Sequence, residues 1–269
     1  MKKGKQSNWA ELPPELTFSI LLRLSVAERL KNAQRVCRSW RGVCKDPLMW
    51  RKINMTYLED IGYDFEAMCC HAVDRSQGGL LEIKIEGFGS DSLLTYIANR
   101  SSNLRLLKIP VCNPMWPSRL VKAAGKLPLL EELEIPQCWW KMNLKALGYS
   151  CPRLKTLKLN CLGYGRSPEK WDVDALSIAE SMPELRHLQL LGNCLTDVGV
   201  NAILDGCPHL EHLGLRKPGN VNFDGNLEKR CSERIRDLRH PNDSIADYTF
   251  DSTFSDDDSE GIIDSGGEL

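Results

Sequence analysis

The stretch LPLLEELEIPQC, residues 127–138, decides the fold, because its middle part, LEELEI, recurs along the chain. Six segments match the pattern L-x-x-L-x-L with Leu or Ile at every apolar position: Leu80–Ile85, Leu104–Ile109, Leu130–Ile135, Leu154–Leu159, Leu185–Leu190 and Leu210–Leu215. Their first residues are 24, 26, 24, 31 and 25 positions apart. A period of this size indicates an array of stacked units, each of which is one small supersecondary element.

Each unit is predicted to contain one strand and one helix. The last four residues of the pattern alternate between polar and apolar, as in a strand with one buried face. Between the strands lie stretches such as ALSIAES, residues 175–181, whose apolar spacing suits two or three helical turns. A proline follows the helical stretch in four of the five connections, where it stops the helix and favours an extended residue before it.

One strand and one helix cannot bury their apolar faces alone, so neighbouring units must stack into a curved solenoid. Four of the five spacings fall within about 20–29 residues, which is the range of leucine-rich repeats. The predicted fold class is therefore α/β, with parallel strands on the concave face and helices on the convex face.

The two ends of the predicted solenoid depart from the repeat. WRKINM, residues 50–55, has the same spacing with Trp in the first place, and indicates a degenerate first strand for a repeat region spanning 53–216. The charged segment Leu227–Leu238 predicts a closing helix within residues 217–240, since terminal repeats need a polar outer face. Residues 241–269 hold nine Asp or Glu and no Lys or Arg, a composition that predicts a disordered acidic tail.

The amino-terminal helices carry more apolar surface than they can bury among themselves. Leu16, Ile20 and Leu24 recur at four-residue spacing and form a wide stripe on a first helix. Ser25 with Glu28 is a capping-box pattern that begins a second helix. A third helix is predicted to carry four further side chains: Val36, Cys37, Trp40 and Val43. The surplus has two open destinations, because these helices either cap the solenoid or dock on another protein chain.

The order of these residues resembles an F-box over about residues 9–52. The matching segments are Leu12-Pro13-x-Glu15-Leu16, Ile20-Leu21-x-x-Leu24, Leu30, Val36-Cys37-x-x-Trp40 and Trp50. The segments NWAELPPEL at 8–16 and VCKDPLMW at 43–50 resemble the plant-type F-box/LRR-repeat proteins in particular. Together with the repeats, the resemblance covers roughly three quarters of the chain.

The resemblance implies the substrate receptor of a Skp–cullin–F-box ubiquitin ligase, a subunit without catalytic residues of its own. Its F-box would dock on the Skp-family adaptor and through it on the cullin and RING subunits, while the repeats hold the protein to be ubiquitinated. The resemblance places nine adaptor-binding residues at the adaptor interface or directly beneath it: Leu12, Pro13, Ile20, Leu21, Leu24, Leu30, Val36, Cys37 and Trp40. The alternative is a non-catalytic leucine-rich-repeat scaffold that binds the adaptor or another protein without directing ubiquitination.

Candidate target-binding residues lie in the loops after the strands and on the concave face. Exposed aromatic residues and Arg on loops are enriched in protein interfaces, although a Trp in a turn can equally fill the space between repeats. Alternate positions of adjacent strands also bring two histidines together on the concave side. The candidates are Trp139, Trp140, Tyr164, Arg166 and Trp171 in the loops, and His187 and His212 on the strands.

Several other classes of protein find no support in the sequence. It contains no catalytic motif such as GxSxG, a P-loop or HExxH. No stretch of 18 apolar residues predicts a membrane span, and no stripe of one charge sign favours nucleic acid. Cys69-Cys70-His71 lacks the second half of a zinc site, and the eleven scattered cysteines are expected to be reduced thiols. We therefore expect no metal, no cofactor and a location in the nucleus and/or cytoplasm.

Overall fold

A computed structural model describes residues 12–57, 62, 64–110, 116–136, 141–160, 171–192, 195–216, 220–223, 225–240 and 242–244. The chain begins with short helical elements: α1 (Pro14–Leu21), α2 (Val26–Glu28), a π-helical turn (Arg29–Ala33), α3 (Gln34–Val36), α4 (Arg38–Lys45) and a 3-10 turn (Pro47–Trp50). In the described part of the chain, no helix has the length and apolar character needed to cross a membrane.

Strands and helices then alternate to the end of the described chain. The strands are β1 (Lys52–Thr56), β2 (Glu82–Glu86), β3 (Leu106–Lys108), β4 (Glu132–Ile135), β5 (Thr156–Asn160), β6 (His187–Leu191), β7 (His212–Gly214) and β8 (Asp237–Arg239). The helices are α5 (Phe65–Arg75), α6 (Asp91–Arg100), α7 (Trp116–Ala124), α8 (Leu144–Ser150), α9 (Val173–Ser181), α10 (Asp197–Gly206) and α11 (Gly225–Arg234). Each strand pairs in parallel with the next along the chain, which confirms the predicted solenoid fold.

The apolar positions of the repeats form one continuous core. Leu107, Leu133 and Leu157 lie opposite one another in register on neighbouring strands, and all three are fully buried. Glu132 and Glu134 alternate with Leu133 and point to the open face of the sheet. Each buried leucine stabilises the fold by about 1.5–3 kcal/mol relative to an exposed one, so the repeated leucines hold the stack together.

The prolines stop the helices where the sequence predicts. Helix α8 ends at Ser150 before Cys151-Pro152, and α10 ends at Gly206 before Cys207-Pro208. The residue before each proline has left the helical conformation, as the proline ring requires. These stops set the length of each helix and return the chain to the next strand.

The charged segment at the carboxyl end differs from the prediction of a single closing helix over Leu227–Leu238. Helix α11 ends at Arg234, and the following residues form β8, in which Leu238 pairs with Leu213 of β7. The reason is that Ile235, only 6% exposed, and Leu238 supply inward-facing side chains at the first two positions of the repeat pattern. The segment therefore adds another repeat to the solenoid before the chain leaves it.

The second amino-terminal helix is longer than expected. The predicted capping box is present, since the Ser25 hydroxyl accepts a hydrogen bond from Glu28 N and Glu28 accepts one from Ser25 N. The helix runs through the π-helical turn to Val36, which was predicted on the third helix. Cys37 is extended, with φ of −157°, and its sulfur accepts a hydrogen bond from Trp40 N at 3.5 Å. Cys37 therefore caps α4 rather than lying within it.

The amino-terminal helices and the first repeat share one core. Trp50 is fully buried, and its indole nitrogen donates to the Cys44 carbonyl at 2.9 Å. From α5 of the first repeat, Arg75 donates to the same carbonyl at 3.1 Å and to the Gln34 side chain at 3.2 Å. The helices therefore cap the solenoid, which is one of the two predicted destinations of their apolar surface. The second destination, another protein chain, depends on how much apolar surface the capping leaves exposed.

Candidate adaptor and target surfaces

The amino-terminal helices leave large apolar side chains in solvent even after they cap the solenoid. The most exposed among them are Leu16, Leu22, Val36 and Leu48, which are 54%, 48%, 60% and 56% exposed. Single exposed leucines are normal on a protein surface, but four large apolar side chains on α1, at its end, on α3 and on the 3-10 turn are more than isolated cases. Capping the solenoid therefore does not account for the whole apolar surplus.

The structure divides the nine predicted adaptor residues into three groups. Two are exposed, six are partly exposed and one is buried: Pro13 and Val36; Leu12, Ile20, Leu24, Leu30, Cys37 and Trp40; and Leu21. Leu21 is fully buried, so of the two places that the resemblance allows it lies beneath the surface and not on it. Thr17 and Leu21 are four residues apart on α1 and face the core together. Leu21 therefore supports the surface from beneath.

Three exposed residues were missing from the predicted set. Leu16 and Leu22 lie on the outward side of α1 and at its end, and Leu48 lies on the 3-10 turn. The sequence contained part of this signal, since Leu21 and Leu22 are adjacent and only one of them can face the core. Which one does so depends on how α1 packs against α4, which periodicity alone does not determine.

Trp40 occupies the boundary between core and surface. Its ring is partly exposed and packs against the core, while its indole nitrogen is buried and has no hydrogen-bond partner among the described residues. A partly exposed Trp surrounded by apolar groups is typical of the residues that contribute most to protein interfaces.

The same region is strongly basic. Residues 12–57 contain nine Lys or Arg against three Asp or Glu. The nine are Arg23, Arg29, Lys31, Arg35, Arg38, Arg41, Lys45, Arg51 and Lys52. A surface with this excess favours an acidic partner, and the long-range attraction accelerates association.

On the open face of the sheet, the first strands are linked by ion pairs. Lys108 lies between Glu86 at 2.6 Å and Glu134 at 3.5 Å, and its side chain is only 13% exposed. Burial alone would lower the pKa of Lys108, but its hydrogen bonds and attraction to the two glutamates outweigh burial and raise that pKa. Lys158 continues the ladder by pairing with Glu134 at 3.8 Å. This part of the face is occupied by its own charges.

Farther along the same face, the structure brings His187 and His212 together. Their rings stack with centroids 4.1 Å apart and planes 9° apart, because the two residues are in register on β6 and β7. The pKa of His187 lies below its ordinary value, mainly because the side chain is partly buried and next because His212 is adjacent. On the far side, His212 Nδ1 lies 3.4 Å from an Asp237 carboxylate oxygen. The role of the two histidines in target binding stays a prediction.

The loop residues proposed for target binding are mostly beyond what the structure describes. Trp139, Trp140, Tyr164 and Arg166 lie outside the described residues. Trp171 is partly buried just before α9, where it makes further contacts. The choice between a target-binding role and a space-filling role for these side chains therefore stays open.

The buried cysteines carry thiols rather than thiolates. Burial raises the pKa of Cys69 and Cys151 to about 12, and that of Cys207 and Cys231 to about 11. A nucleophilic cysteine needs a lowered pKa, because the thiolate is the reactive form. These four residues thus serve packing, as their positions at the ends of helices and in the core suggest.

Comparisons with known proteins agree with this geometry. Residues 9–56 match the family model described as F-box-like. The chain is 55% identical over 262 residues to F-box protein SKIP19 of Arabidopsis thaliana, covering 96% of this chain and 85% of that protein. It is 53% identical over 269 residues to F-box/LRR-repeat protein 22 of the same plant, covering 98% and 86%. F-box/LRR-repeat protein 21, also from Arabidopsis thaliana, is 54% identical over 262 residues, covering 91% and 86%.

Proposed function

The chain belongs to the plant F-box/LRR-repeat proteins, and we propose that it is the substrate-recognition subunit of a Skp–cullin–F-box ubiquitin ligase. One observation carries the proposal: large apolar side chains remain exposed on an F-box whose other face is already buried against the repeats. In this role the F-box binds the Skp-family adaptor, and the repeats bind the protein to be ubiquitinated.

Charge supports the same partner chemistry. The excess of basic over acidic residues in the F-box favours an adaptor whose docking surface is acidic. Because exposed charges are screened beyond about 10 Å at 0.1 M salt, the association rate should fall as ionic strength rises. The apolar side chains then account for the stability of the complex once it has formed.

The rigid connection between the F-box and the repeats gives the receptor its mechanism. Trp50 and Arg75 tie the two parts into a single core, so a target on the repeats keeps a fixed place relative to the adaptor. A fixed place raises the effective concentration of target lysines near the ubiquitin-loaded enzyme. The receptor contributes proximity and orientation, and the chemistry belongs to other subunits of the complex.

Co-expression with a Skp-family adaptor, followed by size-exclusion chromatography, tests the proposal. We expect the two chains to elute together at one to one, with weaker association at higher salt. A well-folded chain that elutes alone in the presence of the adaptor would contradict the proposal. The scaffold alternative is then distinguished by removing the protein from cells that keep the adaptor. Accumulation of a direct binding partner supports the ligase, and unchanged levels of that partner support the scaffold.

A further inference from the structure

The strand segments of the sheet divide into two halves that differ in charge. The first four carry five basic and five acidic residues and form the neutral half: residues 51–56, 81–86, 105–110 and 131–136. The last four carry six basic and two acidic residues and form the positive half: residues 155–160, 186–191, 211–216 and 236–240. The six basic residues are Lys155, Lys158, Arg186, Arg216, Arg236 and Arg239.

The two acidic residues of the positive half do not neutralise it. Glu211 is shared by Arg186 at 3.2 Å and Arg236 at 3.3 Å. Asp237 is shared by Arg239 and His212, each at 3.4 Å. Each carboxylate thus serves two bases. Lys155 and Lys158 pair with Glu131 at 2.9 Å and Glu134 at 3.8 Å in the neutral half, but Arg105 and Lys108 share these two glutamates, so a net positive charge remains. Such a surface attracts an acidic ligand.

The chain itself leads onto the positive half. After β8, the chain turns back, because the nitrogen of His240 donates to the Asp243 carboxylate at 2.9 Å and the nitrogen of Asp243 donates to the His240 carbonyl at 3.1 Å. The carbonyl of Ser244 then accepts a hydrogen bond from Arg216 at 2.8 Å. Arg216 continues the alternation of His212 and Gly214 on the open face, yet it is only 4% exposed. The chain leading to residue 245 therefore starts at this basic surface.

The residues that follow Ser244 have the complementary charge. Residues 245–269 contain eight acidic side chains and no Lys or Arg: Asp247, Asp251, Asp256, Asp257, Asp258, Glu260, Asp264 and Glu268. A segment of this length spans up to roughly 80 Å when extended. The four strands of the positive half extend over roughly 15 Å at ordinary strand spacing. Every base of this half is within reach of the segment.

We propose that residues 245–269 of the predicted acidic tail dock in cis on the positive half of the sheet. A tethered segment that starts at the surface has an effective concentration of roughly millimolar, which favours it over a free acidic partner of equal charge. The contacts are charged side chains that lie on the open face or, as with Lys155, Arg186 and Arg236, directly before a strand. Docking on such exposed charges is reversible and sensitive to salt.

This docking has a consequence for target recognition, and that consequence rests on the proposed function. If the repeats bind the target on their open face, the tail competes for the positive half, and a target that displaces it must itself present acidic side chains. The docking can be tested without adaptor or target, so its failure leaves the proposed function untouched.

Carbodiimide cross-linking of the full chain, read by mass spectrometry, tests the docking. This reagent joins carboxylates to lysine amines in direct contact. We expect tail carboxylates to be joined to Lys155 and Lys158 of the positive half, and not to Lys52 and Lys84 of the neutral half. A mixture of isotope-labelled and unlabelled chains shows whether the joined residues belong to one molecule. We expect the cross-links within one molecule to disappear at about 0.5 M salt.

A pair of matched double variants separates charge from structure. Arg186→Gln/Arg239→Gln weakens the positive half but keeps both lysines, so we expect at least a fivefold loss of tail cross-links. Arg51→Gln/Arg105→Gln makes the same change in the neutral half and should leave the cross-links unchanged. Cross-links spread evenly over all four lysines, or an equal loss in both variants, would overturn the proposal.

A second measurement uses a labelled synthetic peptide of residues 245–269 added in trans. If the tail occupies the surface, this peptide should bind about tenfold more tightly to the chain carrying Asp256→Asn/Asp257→Asn/Asp258→Asn than to the unaltered chain. Equal binding to both chains would mean that the positive half is open to an acidic partner from elsewhere. That result would overturn docking in cis.

Discussion

The guanidinium of Arg29 lies 4.9 Å from the ring centre of Trp50, so a buried cation of the F-box packs on the tryptophan that leads into the first repeat. Arg29 is only 5% exposed and donates a hydrogen bond to the Met49 carbonyl at 2.8 Å. Burial lowers the pKa of Arg29, but a guanidinium keeps its charge in proteins. This contact lies at the junction that holds the F-box and the repeats in one body.

Shortening Arg29 should weaken that junction. We expect Arg29→Ala to lower the free energy of unfolding by about 2–4 kcal/mol, because it leaves a cavity over Trp50 and an unpaired carbonyl at Met49. Arg29→Met keeps the volume and should cost less than about 1.5 kcal/mol. The exposed Arg35→Ala serves as control, with a change within about 0.5 kcal/mol. Urea unfolding checks all three, and a harmless Arg29→Ala would refute the role given to this contact.

Two glycines offer a matched test of helix packing in the solenoid. A Cβ at Gly206 would overlap the backbone of Ala179 on the neighbouring helix, whereas a Cβ at Gly42 has no atom within 4 Å. We expect Gly206→Ala to destabilise the protein by about 1–3 kcal/mol, because packed backbones must move apart. Gly42→Ala, within α4, should be neutral or stabilising by up to about 1 kcal/mol. Thermal unfolding of both variants decides, and equal shifts would show that the two helices are not in close contact.

The stacked histidines predict a pH dependence of stability. Because burial and His212 lower the pKa of His187 from 6.5, the unfolded chain takes up a proton at this residue before the folded chain does. Stability should therefore fall as pH drops below about 6.5. His187→Gln should reduce the difference between urea midpoints at about pH 7.5 and about pH 5.5. Gln189→Ala, on the same strand, does not titrate and should keep that difference. An unchanged difference in His187→Gln would contradict the prediction.

The solenoid could be predicted from the sequence because each sequence repeat folds into one structural unit that stacks on the next. Leucines such as Leu133 and Leu157 alternate with polar residues and recur once per unit, and in the fold they stack on one another. The same register predicted the meeting of His187 with His212 on neighbouring strands. Where repeated local patterns set the contacts, the sequence is sufficient to place them.

The structure differs from the prediction where the repeat pattern weakens, or where packing between elements decides which side chain is buried. Ile235 and Leu238 keep two apolar positions of the repeat, but His240 takes the place of the third, and the surrounding charges favoured a helix. In the F-box, Leu21 and Leu22 are equally apolar, and only the packing of α1 against α4 buries one and exposes the other. The partners of Ser244 depend on a buried arginine 28 residues earlier in the chain, a contact without local signal.

The central claim is that exposed apolar side chains of the F-box bind the Skp-family adaptor, and a pair of leucines tests it most directly. Leu16 on the F-box and Leu176 on α9 are both in helices and are 54% and 52% exposed. We would measure the affinity of the full chain for the adaptor by titration calorimetry, with circular dichroism as a check of folding. The account predicts that Leu16→Ala weakens binding about 5–100-fold and that Leu176→Ala leaves it unchanged. No binding by the unaltered chain, or equal losses in the two variants, would contradict it.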